Sequence, residues 1–140
     1  MKSRFFQDLH VCNLPKGRVS IDRDLTYFSP YLHRLTGDGY VHIPTGFVCD
    51  LTSLRFLGLV SRGAWDRAAA VHDLLYKTGC HASTRLTKAD CDAVFVEAMK
   101  ALHTHPARVA IYREGVRWLA WPAWFGHRRR DRRKRSENIP

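Results

Sequence analysis

The hydrophobic pattern changes its period near the middle of the chain, and this change limits the folds that are open to it. The first part holds four short β-rich segments, which are residues 18–21, 25–29, 39–43 and 46–50. Proline and glycine residues between them, among them Pro30, indicate turns. Farther along, apolar residues recur at helical spacing in three longer segments, which are residues 64–76, 87–102 and 106–121. Strands followed by helices indicate an α+β fold class, in which N-terminal antiparallel β-strands pack against about three C-terminal α-helices.

Length and charge indicate one globular domain with a basic extension. The chain has 140 residues and a formal net charge of +10, and the run RRRDRRKR at residues 128–135 contributes seven basic residues and one acidic residue. We therefore expect a single domain over residues 1–126 and a basic C-terminal tail over residues 127–140. No segment approaches the ~20 apolar residues of a membrane span, and the N-terminus lacks the apolar core of a signal peptide. These features predict a protein of the producing cell's cytoplasm.

One predicted helix carries two adjacent ionisable residues within the apolar sequence AAAVHDLLY. Burying His72 or Asp73 costs free energy unless each finds a partner, so the pair is either a satisfied structural network or a chemical centre. Tyr76 follows His72 by four residues and lies above it on the same helix face. A histidine acts as a general base near neutral pH when a carboxylate on its other ring nitrogen fixes the tautomer.

The carboxylate that orients His72 is expected to come from a different helix. Asp73 is ~100° from His72 around the helix, so its side chain leaves in another direction. Asp90 begins an inward edge of the next predicted helix, whereas Asp92 projects to another side. This placement favours Asp90 as the partner of His72. Asp90 also completes a capping box with Thr87, and the two roles are compatible.

The segment GFVCDLTS ends the last predicted strand with polar side chains. Asp50 and Ser53 offer a carboxylate and a hydroxyl that suit a cation or a polar substrate. The same residue types, together with Thr52, also cap turns and helices. Both interpretations are open from the sequence.

Four cysteines lack the spacing of a zinc site. They are Cys12, Cys49, Cys80 and Cys91. A cytoplasmic protein keeps its thiols reduced, so we expect small buried apolar side chains. A disulfide between Cys80 and Cys91 is the alternative.

The order of these segments resembles small phage and prophage proteins of the domain of unknown function 1353 family. That pattern comprises a Gly-Phe…Asp…Ser segment, a His-Asp…Tyr helix, an Arg…Ala-Asp…Phe helix and a closing Val-Arg. The matching positions are Gly46, Phe47, Asp50, Ser53, His72, Asp73, Tyr76, Arg85, Ala89, Asp90, Phe95, Val116 and Arg117. The chain departs from the family at Leu54-Arg55, where an apolar residue and a proline are usual. The resemblance, over about residues 20–120, implies a virion or tail protein whose partners are other virion or tail proteins.

The two-helix pattern also resembles the bacterial type of secreted calcium-dependent phospholipase. In those enzymes a helix histidine activates water, the next aspartate binds calcium, and an aspartate on the partner helix orients the histidine. Carried over by position, the resemblance implies catalytic roles for His72 and Asp90 and a metal-binding role for Asp73. The glycine-rich calcium loop of that family has no counterpart upstream of His72, so Asp50 is the expected second ligand of a divalent cation, Ca²⁺ or Zn²⁺. The residues expected to support this polar network are Ser53, Tyr76 and Arg85.

Three tryptophans stand directly before the basic run, in the sequence RWLAWPAWFG. The residues expected to contact a membrane or a nucleic acid are Trp121, Trp124, Arg128, Arg129 and Arg130. Aromatic rings followed by cations suit an anionic membrane surface. Residues 128–135 equally suit a nucleic acid, where cations meet phosphates and rings stack on bases. In a third interpretation the tryptophans cover the core of the domain, and the tail stays in solvent or binds an acidic partner.

Three functions are compatible with these features. The first is an envelope-directed phage hydrolase with a dyad of His72 and Asp90, which cleaves a lipid ester or a cell-wall bond. The second is a non-catalytic tail or assembly component in which the same side chains form a structural or metal-binding network. The third is a nucleic-acid-binding protein that acts through its basic tail. The first two require polar side chains from separate segments to meet in one place.

Overall fold

The computed structural model describes residues 1–49 and 66–137, and the first of these ranges contains two small antiparallel sheets. The first sheet consists of β1 (Arg4–Phe5), β4 (Leu25–Phe28) and β5 (Tyr40–Ile43), with β4 in the centre. The second consists of β2 (Val11–Asn13), β3 (Val19–Ile21) and β6 (Val48–Cys49), with β3 in the centre. A 3₁₀ turn, Pro15–Gly17, joins β2 to β3. Residues of β5 are alternately exposed and buried, as in a strand with one face on the core.

A short helix, α1 (Pro30–Thr36), follows β4 at the point where the sequence predicts only a turn. The side chain of Ser29 accepts a hydrogen bond from the backbone N–H of Leu32 at 3.1 Å and so caps the helix. Pro30 occupies the first turn, where a missing N–H costs nothing. Gly37 ends the helix in the left-handed conformation, with φ at 82°. The proline therefore starts a helix instead of only interrupting the strands.

Four helices and a hairpin make up the described part after residue 65. The helices are α2 (Asp66–Thr78), α3 (Lys88–Ala101), α4 (Pro106–Leu119) and α5 (Trp121–Glu137). The hairpin, formed by β7 (Cys80–His81) and β8 (Thr84–Arg85), connects α2 to α3. Helices α2, α3 and α4 correspond to the three predicted helical segments, and the predicted α+β fold is confirmed.

Helix α3 lies at the centre of the core, in contact with α1, α2 and α4. Small side chains on α2, at Ala68, Ala69 and Ala70, are buried and allow the helices to approach closely. On the side toward the first sheet, Glu97 of α3 accepts hydrogen bonds from the hydroxyl of Tyr27 at 2.9 Å and from the backbone N–H of Tyr31 at 3.1 Å. Helix α3 is thus fixed to both parts of the fold.

Helix α5 is absent from the prediction of about three C-terminal helices, because its arginine-rich sequence has no apolar stripe. It runs without a break past residue 126, where the sequence predicts the start of a tail. The Trp124 ring is buried, with its centroid 5.3 Å from that of Tyr76. Arg128 donates from Nη2 to the backbone oxygen of Tyr76 at 2.6 Å. These contacts hold the first half of α5 against α2.

All four cysteines are free thiols, so Cys80 and Cys91 do not form a disulfide. Cys49 and Cys91 are buried as expected, and burial raises the pKa of each to about 12. Cys12 and Cys80 are exposed, so the expectation of a buried side chain is wrong for these two. Among residues 1–49 and 66–137, no helix is both long enough and apolar enough to cross a bilayer.

Candidate functional site

Helices α2 and α3 bring two ionisable side chains together in the interior. His72 lies on the buried face of α2 and is 5% exposed. Its Nε2 is 3.0 Å from Oδ1 of Asp92 on α3, and the Asp92 side chain is 15% exposed. The two helices therefore meet at a histidine–carboxylate pair within an otherwise apolar contact.

Asp92 accepts hydrogen bonds from two further side chains. The hydroxyl of Tyr76 donates to Oδ1 at 2.7 Å, and Nζ of Lys88 donates to Oδ2 at 2.6 Å. We call His72, Tyr76, Lys88 and Asp92 the polar network. Both carboxylate oxygens have partners, which is the condition under which a buried charge is tolerated.

The Lys88 side chain extends the polar network to a third helix. It is 6% exposed, and besides Asp92 its ammonium donates to the backbone oxygens of Val116 at 2.6 Å and Arg117 at 3.3 Å. These carbonyls lie in the last turn of α4, where intrahelical partners are missing. The ammonium therefore joins the end of α4 to the carboxylate held by α3.

Burial keeps the His72 imidazole neutral. It lowers the pKa of His72 below the ordinary 6.5 and outweighs the hydrogen bond to Asp92 and the Asp92 charge, both of which act to raise it. For Asp92, burial acts to raise the pKa, but hydrogen bonds from His72, Lys88 and Tyr76 outweigh burial and lower the pKa below 3.8. A carboxylate can only accept, so the neutral imidazole carries its proton on Nε2 and its lone pair on Nδ1.

Aromatic rings enclose the imidazole. The ring centroid of Tyr76 is 4.0 Å from that of His72, and the centroid of Phe95 is 5.0 Å away. Trp124 of α5 packs edge-on against Tyr76. These rings shield most of the imidazole from bulk water and restrict its rotation, and the loss of solvation explains the direction of its pKa shift.

Asp90, the predicted partner of His72, lies on another side of α3. Its Oδ2 accepts from the backbone N–H of Thr87 at 2.7 Å and from the Thr87 hydroxyl at 2.6 Å, while Oδ1 accepts from the Tyr31 hydroxyl at 2.7 Å. The predicted capping box is confirmed, and the predicted pairing of His72 with Asp90 is wrong. Residues two apart on a helix are ~200° apart, so only one of Asp90 and Asp92 can face α2.

The sequence does contain a signal for Asp92. It precedes Phe95 and Met99 by three and seven residues, and both of these are fully buried. Lys88 precedes Asp92 by four residues, the spacing of an ion pair on one helix. The prediction assumed that α3 buries one edge only. Because α3 has neighbours on several sides and buries more than one face, that assumption selected the wrong aspartate.

Asp73 is partly buried on α2, close enough to the polar network that its charge adds to the effects of burial and Asp92 in raising the pKa of Tyr76. The pKa of Cys49 is raised mainly by burial and secondly by the negative charge of Asp73. The Asp73 carboxylate therefore lies near Cys49, at the end of β6. The other predicted cation ligand, Asp50, and the predicted polar residue Ser53 lie outside the described residues. Within the described ranges, no three Asp, Glu, His or Cys side chains converge as a metal-ligand cluster.

Arg85 is exposed on β8, and the structure does not bring it to the polar network. It lines an open groove of about 530 Å³ between the hairpin and α5, together with Arg128 and other basic residues of α5. The structure therefore places Arg85 away from His72, whereas it places Tyr76 beside His72 with its hydroxyl donating to Asp92.

The predicted contact residues near the C-terminus divide into two groups. Trp124 and Arg128 face the protein, where they pack on Tyr76 and on the end of α2. Trp121, Arg129 and Arg130 are exposed. The Trp121 ring lies 5.1 Å from Nζ of Lys88, so this side chain sits between solvent and the polar network.

Comparison with known proteins identifies a family for most of the chain. The sequence model of the family described as "Protein of unknown function (DUF1353)" matches residues 25–121, a range that includes all four residues of the polar network. No curated protein and no solved structure matches the chain.

Proposed function

The chain belongs to the DUF1353 family, and we propose that it is a hydrolase in which His72 acts as a general base on water. The observation that carries this proposal is the pair formed by His72 and Asp92, in which a neutral imidazole donates from Nε2 to a carboxylate. A carboxylate in this position fixes the tautomer and stabilises the imidazolium that forms when the base takes a proton. His72 is the proposed catalytic residue, and Asp92 is a positioning residue.

In the proposed reaction, Nδ1 of His72 accepts a proton from water while the water oxygen bonds to the carbonyl carbon of an ester. The positive charge gained by the imidazole faces the carboxylate of Asp92. When the carbon–oxygen bond to the leaving group breaks, the imidazolium returns the proton to the leaving oxygen. Base catalysis of this kind contributes typically ~10²–10⁴-fold to a rate.

Tyr76 and Lys88 hold the carboxylate in place. Burial raises the pKa of Tyr76, so its hydroxyl remains a donor to Asp92. Lys88 binds the opposite oxygen of the carboxylate. With both oxygens fixed from different directions, the carboxylate cannot rotate away from Nε2.

A structural role for the polar network is the second candidate function, and it has its own supporting observation. Asp92 accepts three donors and His72 is only 5% exposed, which a network that fixes the register of two helices also requires. The protein is then a non-catalytic tail or assembly component. The two candidates differ in one measurable property, which is hydrolysis that depends on His72.

The test is ester hydrolysis by the full-length protein, measured as acid release at constant pH. Substrates are short-chain aryl esters and phospholipid vesicles, each with Ca²⁺, with Zn²⁺ or with a chelator. The His72→Gln variant keeps an N–H donor for Asp92 and removes the base, so we expect a rate loss of at least ~100-fold with little change in melting temperature. The exposed His10 provides the matched control, His10→Gln. Equal rates for wild type and His72→Gln, or no hydrolysis by wild type, would overturn the proposal and leave the structural role.

A second pair of variants separates the two aspartates of α3. Asp92→Asn weakens the acceptor for Nε2, so we expect a loss of rate whose pH profile also shifts. Asp90→Asn disturbs only the cap at Thr87 and the contact with Tyr31, and we expect an unchanged rate with a stability loss of about 0.5–2 kcal/mol. A greater rate loss in Asp90→Asn would assign the orienting role to Asp90.

A divalent cation at Asp73, with Asp50 as a second ligand, remains a prediction. Carboxylate oxygens are ligands that Ca²⁺ prefers and Zn²⁺ accepts, and Asp73 is adjacent to His72 in the chain. A bound cation would polarise the carbonyl oxygen of the substrate. Calorimetric titration of wild type and Asp73→Asn with each metal checks the prediction, and equal affinities would contradict it.

The substrate proposed for this hydrolase is a lipid ester or a cell-wall bond of the host envelope. Association with virions or tails would bring the enzyme to that substrate. Mass spectrometry of washed particles tests the association, since a virion protein is present in a fixed copy number per particle. Absence from washed particles would contradict it.

A further inference from the structure

An exposed apolar surface lies at the junction of α4 and α5. Trp118 is 63% exposed, Leu119 57%, Trp121 42% and Phe125 62%. We call these four residues the junction patch. Trp121 and Phe125 stack on each other with ring centroids 5.3 Å apart. Four large apolar side chains exposed within residues 118–125 indicate an interaction site rather than scattered surface residues.

Helix α5 continues from the junction patch as a strongly basic element. Residues 121–137 contain seven Arg or Lys against two Asp or Glu, a net charge of +5 out of +10 for the chain. Arg128 pairs with Asp131 at 3.2 Å, and Arg133 pairs with Glu137 at 3.4 Å. Among the residues that the structure describes, the other five basic side chains of this helix make no ion pair; they are Arg129, Arg130, Arg132, Lys134 and Arg135.

Apolar and basic side chains share one side of α5. Arg129 and Arg132 follow Phe125 by four and seven residues, so all three project in similar directions. Arg132 also borders the groove beside the hairpin, whose lining holds five basic side chains and the carboxylate of Asp131. The groove is open and polar, and its charge suits the phosphate of a lipid headgroup. The surface is therefore apolar at the start of the helix and cationic along the rest.

We propose that the junction patch and the basic side of α5 bind the anionic surface of a phospholipid bilayer. Exposed aromatic and leucine side chains enter the boundary between headgroups and acyl chains, while arginine side chains remain at the level of the phosphates. This binding does not depend on the proposed hydrolytic activity, since none of its groups belongs to the polar network.

The arrangement fits lipid better than nucleic acid. Proteins that bind single strands place aromatic rings along the groove that follows the backbone, so that successive bases stack between cations. In α5 the exposed rings are gathered at one end, before all seven basic residues, and Leu119 beside them offers no stacking surface. A cluster of rings with aliphatic neighbours is suited to an apolar phase.

The test is flotation of the full-length protein with vesicles of phosphatidylcholine, with or without phosphatidylglycerol. We expect binding to the anionic vesicles that weakens as salt increases. The Leu119→Ser/Phe125→Ser variant should lose at least ~10-fold in affinity because two exposed apolar side chains no longer enter the lipid. Leu35 and Phe6 are also exposed, at 44% and 41%, and lie in the N-terminal part, so Leu35→Ser/Phe6→Ser is the matched control and should bind as wild type.

A second pair of double variants tests how much the arginine charges contribute to vesicle binding. Arg129→Gln/Arg132→Gln should lose about fivefold in affinity for each arginine, whereas Arg23→Gln/Arg34→Gln removes the same charge elsewhere and should change affinity little.

Vesicles with brominated acyl chains should quench the tryptophan fluorescence of the wild-type protein. Equal losses in the two apolar variants, or vesicle binding without quenching, would overturn the proposal. A combination of two further results would also overturn the proposal: duplex DNA displaces the protein from vesicles, and Leu119→Ser/Phe125→Ser binds both DNA and vesicles as tightly as wild type. The surface would then bind by charge alone.

Discussion

Lys88 connects the carboxylate of Asp92 to the C-terminal end of α4. An ammonium has three N–H donors, and Lys88 has three acceptors, Asp92, Val116 and Arg117. Its side chain is 6% exposed, so water cannot replace a lost partner. One side chain therefore satisfies a buried carboxylate and the end of a helix together.

Replacing Lys88 by methionine is expected to be strongly destabilising. The variant Lys88→Met leaves Oδ2 of Asp92 and the carbonyls of α4 without their donor, and such a broken buried pair costs roughly 3–5 kcal/mol. Lys100 lies on the same helix in an exposed position, so Lys100→Met is the control and should change stability by less than about 0.5 kcal/mol. Urea unfolding of the three proteins measures the difference, and similar midpoints would contradict the prediction.

The lowered pKa of His72 predicts a loss of stability in mild acid. Unfolded His72 takes up a proton near its ordinary pKa of 6.5, while in the folded protein burial lowers the pKa. Below 6.5 the unfolded state therefore binds more protons, and the free energy of unfolding decreases as the pH falls from 6.5 toward the folded pKa. His72→Gln should flatten this dependence between pH 7 and 5. His127, whose pKa burial also lowers, should keep part of the slope.

Chemical unfolding at several pH values checks this prediction, with the variant of the exposed His10, His10→Gln, as the matched control. Identical slopes in wild type and His72→Gln would mean that folding does not shift the pKa of His72, and would contradict the prediction. The Asp92 pKa, which is lowered below 3.8, affects stability only at lower pH and does not overlap this range.

The sequence showed that His72 needs a polar partner, but it favoured the wrong aspartate of α3 for that role. The position of His72 within an apolar helix required a partner, and Tyr76 one turn later was correctly placed beside it. Choosing between Asp90 and Asp92 required the rotation of α3 about its axis. That rotation depends on which neighbours surround the helix, and the helical pattern alone gives two possible inward faces when a helix is buried on several sides.

At the scale of the elements, α2 and α5 are joined by the side chain of Arg128. It donates to the backbone oxygens of Tyr76 at 2.6 Å and Lys77 at 3.3 Å, near the end of α2, where a cation also meets the negative end of the helix dipole. Gly79 allows this approach, since a Cβ there would lie 1.6 Å from Nη1 of the guanidinium. The φ of Gly79, 62°, is also one that side chains disfavour.

Removing the Arg128 guanidinium should detach the start of α5 from α2. We expect Arg128→Gln to lose about 1.5–3 kcal/mol, because hydrogen bonds from a charged donor to two carbonyls are lost. Arg129 is exposed on the same helix, so Arg129→Gln should leave stability almost unchanged. Thermal unfolding compares the two variants, and hydrogen exchange at residues 121–127 shows whether α5 has been released. Equal stability and exchange in both variants would contradict the prediction.

Across the whole molecule, local patterns predicted the elements with regular burial and missed the others. Strands β3, β4 and β5 and helices α2, α3 and α4 have clear periods of two or 3.6 residues. Helix α1 depends on the cap at Ser29, and α5 depends on contacts of Trp124 and Arg128 with a distant part of the chain. Neither contact produces a periodic pattern.

Two truncations test whether the basic segment is a separate tail. A chain that ends at residue 126 lacks Arg128, whereas a chain that ends at residue 131 keeps Arg128 and its pair with Asp131. We expect the shorter chain to melt roughly 5–10 °C below the longer one, because it loses the hydrogen bonds to the end of α2. Equal melting temperatures would show that residues 127–131 contribute nothing to the domain.

The connections of α3 to both parts of the molecule bear on how it unfolds. Glu97 and Asp90 fasten this helix to Tyr27 and Tyr31, while Asp92 fastens it to α2. If the sheets separated from the helices, α3 would lose one of these two sets of hydrogen bonds. A carboxylate of α3 would then be left without its donors, because the part that stays with α3 does not supply them. Denaturation of the strands and of the helices is therefore coupled, and the α and β parts behave as one cooperative unit rather than as two that melt in succession.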